Sequence, residues 1–197
     1  MENSIAIKAN KEKIGTLLAY IGEIIPNLKL RKLIKLVFLI DERSVKEKGY
    51  PLTWLDYYAW KKGPVAQEIY NIKNDGGLFS QFINVNKNEE DGKYIITPNS
   101  LFDIERGMMK FSQNQIDLVD AVLRENGEAD ADSLTEMTHK EDGIWASTVK
   151  ENDLSFEDNT QSEVKVDLIS LIDKKSERYQ DYIEAFDNLC FAASLNN

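Results

Sequence analysis

Reactive side chains are scarce in this chain, which contains one histidine, His139, and one cysteine, Cys190. A cysteine–histidine pair would have to use both, yet Cys190 has apolar neighbours in a pattern typical of a packed helix face. The chain also lacks the nucleophile turn of the serine hydrolases, although its composition leaves a Ser–His–Asp arrangement open. We therefore predict no catalytic residue and expect that the protein is not an enzyme.

The sequence contains equally few residues that could form a metal or cofactor site. With one histidine and one cysteine, only carboxylates remain as ligands, and no stretch of Asp and Glu has the spacing of a calcium loop. The pair Gly76-Gly77 stands alone, so a glycine-rich phosphate loop is absent. The sequence predicts no metal and no cofactor, and His139 is expected to pack or hydrogen-bond at a helix end.

The chemistry that the chain does offer is that of binding. An aromatic run ends at a basic Gly-Pro corner, and Trp and Tyr carry a large share of the energy of protein interfaces. In a strand, the period of two separates Tyr57 from the other aromatic residues. Most of these aromatics are expected to lie in the core under the central helix, whereas the two lysines are expected to be exposed. The predicted partner-binding residues are Trp54, Tyr58, Trp60, Lys61, Lys62, Gly63 and Pro64.

Charge is distributed unevenly along the chain. Residues 1–75 contain 13 basic and 9 acidic residues, whereas residues 76–197 contain 11 and 25, and the net charge is −10. An acidic protein repels nucleic acid at long range, so nucleic acid is disfavoured as a partner. Opposite charges on two faces suit a protein partner of matching charge, although an acidic surface also serves solubility alone.

A DNA-binding regulator remains the alternative. The basic residues Lys29, Arg31, Lys32 and Lys35 could bind phosphate, and we predict that the three lysines cluster while Arg31 lies opposite. The two short helices expected within 132–149 could imitate a helix-turn-helix. Their exposed charges are mostly acidic, which makes a poor surface for a phosphate backbone.

These residues depend on a central helix predicted over 28–47. Its apolar residues Leu33, Ile34, Val37 and Phe38 recur at helical spacing and are expected to be buried. Further helices are predicted over 10–25, from Pro64, from Ser112 or Asn114, from Asp132 or Ser133, around Trp145 and within 164–195. Extended structure is predicted over 53–61, and a hairpin joins 82–86 to 93–97. The predicted fold class is mostly α (α+β), a compact helical domain around the central helix with one small β-hairpin or short sheet.

Domain organisation and location follow from composition. We assign residues 1–150 to one domain and 151–197 to an acidic loop and helical extension packed on it. The single cysteine fits a reducing compartment, and neither a signal segment nor a membrane span is evident. The protein is therefore expected to be cytoplasmic, without a membrane partner.

Two blocks of this sequence resemble the Panacea domain, also called the SocA-like antitoxin domain. The first block is an apolar helix ending near an acidic residue, a turn containing Pro-Leu, and an Ala-Trp segment ending in Gly-Pro-Val. The second block is a Leu-rich segment with Thr-His and a following Trp. The matching positions are 32–41, 49–52, 59–65 and Tyr70 in the first block, and Gly127, Leu134, Thr138, His139 and Trp145 in the second.

The resemblance implies an antitoxin of a toxin–antitoxin system. Such a protein neutralises a cognate toxin by direct protein–protein binding, and the toxin is typically encoded by an adjacent gene. Related proteins occur in prophages, and no reaction chemistry is implied. A DNA-binding regulator and an unrecognised hydrolase remain the alternatives from other classes.

Overall fold

The computed structural model describes residues 4–74 and 76–195. The prediction of a mostly helical fold with a small β part is confirmed, and the β part consists of two antiparallel hairpins where the sequence predicted one. The elements are α1 (Ile5–Ile24), α2 (Leu30–Lys48), β1 (Tyr57–Trp60), β2 (Gly63–Ala66), α3 (Gln67–Tyr70), β3 (Ile83–Lys87), β4 (Tyr94–Pro98), α4 (Ile104–Met108), α5 (Gln113–Asn126), α6 (Ala131–Thr138), α7 (Ile144–Glu151) and α8 (Glu177–Leu195).

Helix α2 is the centre of the molecule. It packs against α5, α6, β2 and the short helical turn at Leu168–Leu171. The four predicted core residues Leu33, Ile34, Val37 and Phe38 are at most 6% exposed, which confirms their burial. The helix ends at Gly49, whose φ of 88° is accessible to glycine at little steric cost.

Helix α1 begins earlier than the sequence predicted. It starts at Ile5 rather than near residue 10, and Asn10 interrupts it with non-helical dihedral angles. Asn10 therefore marks a kink within the helix. Helix α1 packs against α4 and α8, so the C-terminal helix lies on the same core as α2.

The hairpin β1–β2 replaces the helix predicted to start at Pro64. Residues Gly63–Ala66 form a strand, and the helix begins only at Gln67. Pro64 lies opposite Ala59, whose N–H donates to the carbonyl of Val164 at 2.9 Å. The missing N–H of Pro64 therefore leaves no gap in the β1–β2 ladder, which is why a proline fits this strand.

The hairpin β3–β4 confirms the second predicted β element, displaced by one residue. It is joined to the start of α2, because the N–H of Ile96 donates to the carbonyl of Leu28 at 2.8 Å and Lys29 bridges to Ile95. This connection brings the residues at the start of β4, Lys93 and Tyr94, close to the first turn of α2.

The segment after α7 runs along the edge of β1 and is hydrogen-bonded to it. The N–H of Val166 donates to the carbonyl of Tyr57 at 2.7 Å, next to the bond between Ala59 and Val164. The short helical turn at Leu168–Leu171 and then helix α8 follow, within the range 164–195 where helical structure was predicted. Across the described residues, none of the helices has both the length and the apolar character to cross a membrane.

Candidate functional site

The two predicted lysines form the tip of the β1–β2 hairpin. Trp60 pairs with Gly63, so Lys61 and Lys62 make a two-residue turn between the strands. Both lysines are exposed, as the sequence predicted. Gly63 has a φ of 100°, which side-chain-bearing residues rarely adopt. The turn therefore presents two positive charges on a glycine-dependent backbone.

The seven predicted partner-binding residues do not share one surface. Trp54 has a φ of 62°, lies before the strand and packs against Tyr182 and Phe186 of α8, at 5.0 and 5.6 Å between ring centroids. Tyr58 is half-buried, opposite the segment that covers β1. Gly63 and Pro64 are buried in β2. Only Trp60, Lys61 and Lys62 line a common cleft.

That cleft has a volume of about 700 Å³ and lies between the hairpin turn, the start of α2, the start of β4 and the start of α6. Its volume falls in the range of ligand-binding pockets in proteins. Six basic side chains and two acidic ones line it, together with aliphatic and aromatic residues. The charged lining residues are Lys29, Arg31, Lys35, Lys61, Lys62, Lys93, Asp130 and Asp132; the apolar ones are Leu30, Ile34, Trp60, Val65, Tyr70, Tyr94 and Ala131.

Lys35 lies at the inner wall of the cleft and is only 1% exposed. Its ammonium donates a hydrogen bond to the backbone carbonyl of Lys62. Within the described residues, no carboxylate forms an ion pair with it. Burial, with a smaller contribution from the cation of Arg31, lowers the pKa of Lys35 to about 7. The cleft thus contains a buried amine that is partly protonated at neutral pH.

Gly63 makes room for this amine. A Cβ atom on Gly63 would overlap Lys35 Nζ and would lie 2.9 Å from Thr138 Oγ1 and 3.1 Å from His139 Nε2. The position therefore needs glycine for two reasons, its positive φ and the side chains that crowd it. The Gly-Pro corner and the Thr-His pair, far apart in sequence, meet around Lys35.

His139 is held by stacking. Its ring lies 3.8 Å from that of Trp145 with an interplanar angle of 4°. Trp145 Nε1 donates to the carbonyl of Trp60 at 3.0 Å, which ties α7 to the hairpin. Burial, and then the nearby charge of Lys35, lower the pKa of His139 to about 4, so the ring is neutral at physiological pH. The predicted packing of His139 at a helix end is confirmed, because it follows the last residue of α6.

The rim of the cleft carries ion pairs. Arg31 bonds to Asp132 at 2.7 Å, while Lys29 and Lys93 both reach Asp91 at 3.2 Å. The prediction that Arg31 lies away from the lysines is wrong, since residues four apart share a helix face and Arg31 and Lys35 line the same cleft. Lys32 instead donates to the carbonyl of Gly127, outside the cleft lining.

A second buried charge on α2, Asp41, serves a different purpose. It accepts hydrogen bonds from the N–H groups of Leu52 and Thr53 at 2.7 and 2.8 Å, from the Thr53 hydroxyl, and from the Tyr57 hydroxyl at 2.7 Å. Burial raises the pKa of this carboxyl and the hydrogen bonds oppose that shift. Asp41 therefore fixes the Pro-Leu turn and the start of β1 against the central helix.

The acidic segment predicted as a loop borders the cleft. The backbone N–H of Lys61 donates to the carbonyl of Thr160 at 2.9 Å, and its ammonium reaches the carbonyl of Phe156 at 3.1 Å. Thr160 and Gln161 complete the wall of the cleft. Their carboxylate neighbours are exposed, so this segment contributes backbone and neutral side chains to the lining.

The residues with catalytic potential are dispersed. Cys190 lies on α8, which packs on α1, whereas His139 lies at the end of α6 against β2. Among residues 4–74 and 76–195, no group of three or more His, Cys, Asp and Glu side chains is placed to hold a metal ion.

Sequence reasoning identified the turn at Lys61-Lys62 but missed Lys35 as the inner residue of the site. A signal for it was present, because α2 is apolar nearly all round and such a helix buries the polar residues it contains as well. Comparison with protein families gives a match of residues 33–146 to the family described as "Antitoxin SocA-like, Panacea domain". The matched region contains α2 from Leu33 onward, both hairpins, and the Thr-His and Trp positions around Lys35. Searches of curated proteins and of solved structures gave no match.

Proposed function

Because this chain belongs to the SocA-like Panacea antitoxin family, we propose that it neutralises a partner toxin by direct protein–protein binding. The toxin is proposed to be the product of an adjacent gene. The proposal assigns no reaction to the protein: it acts by occupying or clamping the toxin with a surface that is already formed.

The observation that carries the proposal is the cleft beside the hairpin turn. Basic side chains outnumber acidic ones there by six to two, although the whole chain has a net charge of −10. Trp60 and Tyr70 meet at 4.9 Å between ring centroids in the same wall. Aromatic residues next to cations are typical of the energetically important centre of a protein interface.

Neither alternative class has comparable support. For a DNA-binding regulator, α6 would have to face phosphates, yet Asp130 caps this helix and Asp132 already pairs with Arg31. For a hydrolase, the neutral His139 would need a nucleophile, and its ring is instead stacked on Trp145. Binding to a protein uses the features that these alternatives leave without a role.

The test is growth rescue when this protein and the neighbouring toxin are co-expressed, with pull-down as the measure of binding. The double variant Lys61→Glu/Lys62→Glu reverses two exposed charges at the turn. We expect it to lose rescue and to bind the toxin at least about tenfold more weakly, because like-charge contacts across an interface cost several kcal/mol. The matched control is Lys174→Glu/Lys175→Glu, which makes the same change at two exposed lysines outside the cleft.

A second double variant tests whether the protein acts by binding or by catalysis. His139→Gln with Cys190→Ser should retain toxin binding and rescue, provided that the melting temperature is unchanged. Rescue that fails while binding and melting temperature stay normal would indicate a catalytic role and contradict the proposal. A toxin that the wild-type protein does not bind would contradict it directly.

A further inference from the structure

Lys35 is an unusual residue to find inside a protein. A buried ammonium costs several kcal/mol unless a counter-charge and hydrogen bonds compensate for its lost hydration. Here the amine donates one hydrogen bond, to the carbonyl of Lys62, and has no ionic partner among the described residues. The neighbouring charge that lowers its pKa further, Arg31, is a cation. Among the described residues, the amine therefore has no anionic partner at the inner wall of the cleft.

The helix that carries Lys35 breaks a local rule in the same place. Cations destabilise the N-terminal end of a helix, where the peptide dipoles already give a partial positive charge. Yet Lys29 directly precedes α2 and Arg31 lies in its first turn, that turn contains no acidic residue, and no side chain caps the helix. Violations of local preference concentrate at functional sites. The concentration of positive charge here suits an anionic ligand.

The lining also indicates what accompanies the anion. Leu30, Ile34, Trp60, Val65 and Tyr94 provide aliphatic and aromatic surface within the same cleft. A single fully buried amine matches one carboxylate, whereas phosphate sites gather several N–H donors or arginines. The net charge of −10 also opposes a polyanion such as nucleic acid. A short protein segment with an acidic and an apolar side chain satisfies both parts of the lining.

We propose that the cleft binds an acidic segment of the toxin, with a carboxylate placed on Lys35 and a neighbouring aromatic or aliphatic side chain against Ile34, Trp60 and Val65. This inference rests on the proposed function and names the element that the antitoxin recognises. Lys61 and Lys62 attract the segment at the outer rim, while Lys35 supplies the buried contact that holds it.

Proton uptake distinguishes this contact from a surface ion pair. The free amine has a pKa of about 7, and a carboxylate beside it stabilises its charged form and raises that pKa. Binding should then take up about half a proton at pH 7 and weaken as the pH rises above 7. The charged or titratable groups facing Lys35 are Arg31 on α2, Lys62 in the turn and His139 after α6. His139, with a pKa of about 4, does not titrate in this range.

The experiment compares the wild-type protein with Lys35→Met in calorimetric titrations with the purified neighbouring toxin. Methionine keeps the unbranched stem of the side chain, is one atom shorter, and removes the charge. We expect binding to weaken about tenfold or more, proton uptake to vanish, and the affinity to lose its dependence on pH above 7. The melting temperature should stay equal or rise, because an unpaired buried charge has been replaced by an apolar group. A purely structural lysine would show the opposite pattern.

Lys32→Met is the matched control. Lys32 is a half-buried lysine on the same helix that also donates to a backbone carbonyl, that of Gly127, but it does not line the cleft. Its replacement should leave toxin affinity and proton uptake unchanged. If Lys35→Met binds the toxin as tightly as the wild type with the same pH dependence, the inference is overturned while the proposed function stands.

If the wild-type protein does not bind the toxin, the proposed function fails and the site is tested by itself. The probes are the peptide acetyl-Asp-Glu-Phe-Glu-Asp, its Asn/Gln analogue, and ATP, and the readout is the pKa of Lys35 from its ¹³Cε NMR signal. A rise caused by the acidic peptide alone supports a site for an acidic segment. If the pKa of Lys35 rises with ATP alone, or with none of the probes, the inference is overturned.

Discussion

Two charged side chains of α2, about one and a half turns apart, are buried to the same degree but differ in how fully they are hydrogen-bonded. Asp41 is 0% exposed and Lys35 is 1% exposed. The carboxylate of Asp41 accepts four hydrogen bonds, from Leu52, Thr53 and Tyr57. The ammonium of Lys35 makes one, to the carbonyl of Lys62. Burial alone therefore does not reveal what a buried charge is for.

The difference lies in what remains to be satisfied. Asp41 is enclosed by groups of its own chain, so its hydrogen bonds hold a turn and a strand to the helix. Lys35 borders an open cleft and has no counter-charge among the described residues, so an incoming anion would complete it. A buried charge that is fully hydrogen-bonded within its own chain helps to hold the fold together. A buried charge without a counter-charge can gain favourable interactions when a ligand supplies one.

The largest effect on stability should come from replacing Asp41, the buried charge that is fully hydrogen-bonded. Asp41→Ala leaves two backbone N–H groups and two hydroxyls without their acceptor in a buried region, and each such group costs about 1–3 kcal/mol. We expect the free energy of unfolding to fall by about 3–5 kcal/mol in urea denaturation. Asp158→Ala, at an exposed loop position, is the control and should change stability by less than about 0.5 kcal/mol. A similar small change in both variants would show that Asp41 is not the structural member of the pair.

A smaller effect should come from the backbone that accommodates Lys35. Gly63→Ala forces a side chain onto a φ of 100° and onto the amine of Lys35, and we expect a loss of about 1–3 kcal/mol in stability together with loss of toxin binding. Gly92→Ala is a matched control because Gly92 lines the same cleft and also has a positive φ, 66°, but a Cβ there meets no atom within 4 Å and so leaves Lys35 in place. Equal effects of the two substitutions on binding would mean that the position of Lys35 does not matter.

The last effect, the smallest per pH unit and the most specific, should be a dependence on pH. The pKa of Lys35 is lowered in the folded protein, so between pH 7 and about 10.5 the unfolded chain binds a proton that the folded chain has released. The wild type should therefore gain stability relative to Lys35→Met as the pH rises, by up to about 1.4 kcal/mol per pH unit. Thermal unfolding of both proteins at several pH values measures it. A difference that stays constant from pH 7 to 9 would contradict the uncompensated burial of this amine.

The spacing of apolar residues predicted those parts of the fold that depend on one face of a single element. The apolar spacing of Leu33, Ile34, Val37 and Phe38 was sufficient to place α2 in the core, because burial of a helix face is encoded along a single element. The start of α5 was predicted at Ser112 or Asn114, and Ser112 caps the helix through a capping box with Gln115. By contrast, the predicted start of α6 at Asp132 or Ser133 was wrong, because Asp130 caps the helix.

The site was harder to predict because it is assembled from distant segments. Pro64 suited a helix start by its own preferences, and only the bond from Ala59 to Val164 allows it in a strand. The amine of Lys35 meets Gly63 and Thr138 through contacts that no local pattern records. The exposed turn was predictable from its residue types, whereas the inner wall required the tertiary structure.

The covering of β1 by a late segment has a consequence for when the protein becomes active. Thr160 and Gln161 form one wall of the cleft, and Thr160 is also bonded to Lys61. A chain still on the ribosome lacks this wall until residues 160–166 have left the exit tunnel. The proposed toxin-binding cleft is therefore completed only late in synthesis, after α2 and both hairpins have emerged.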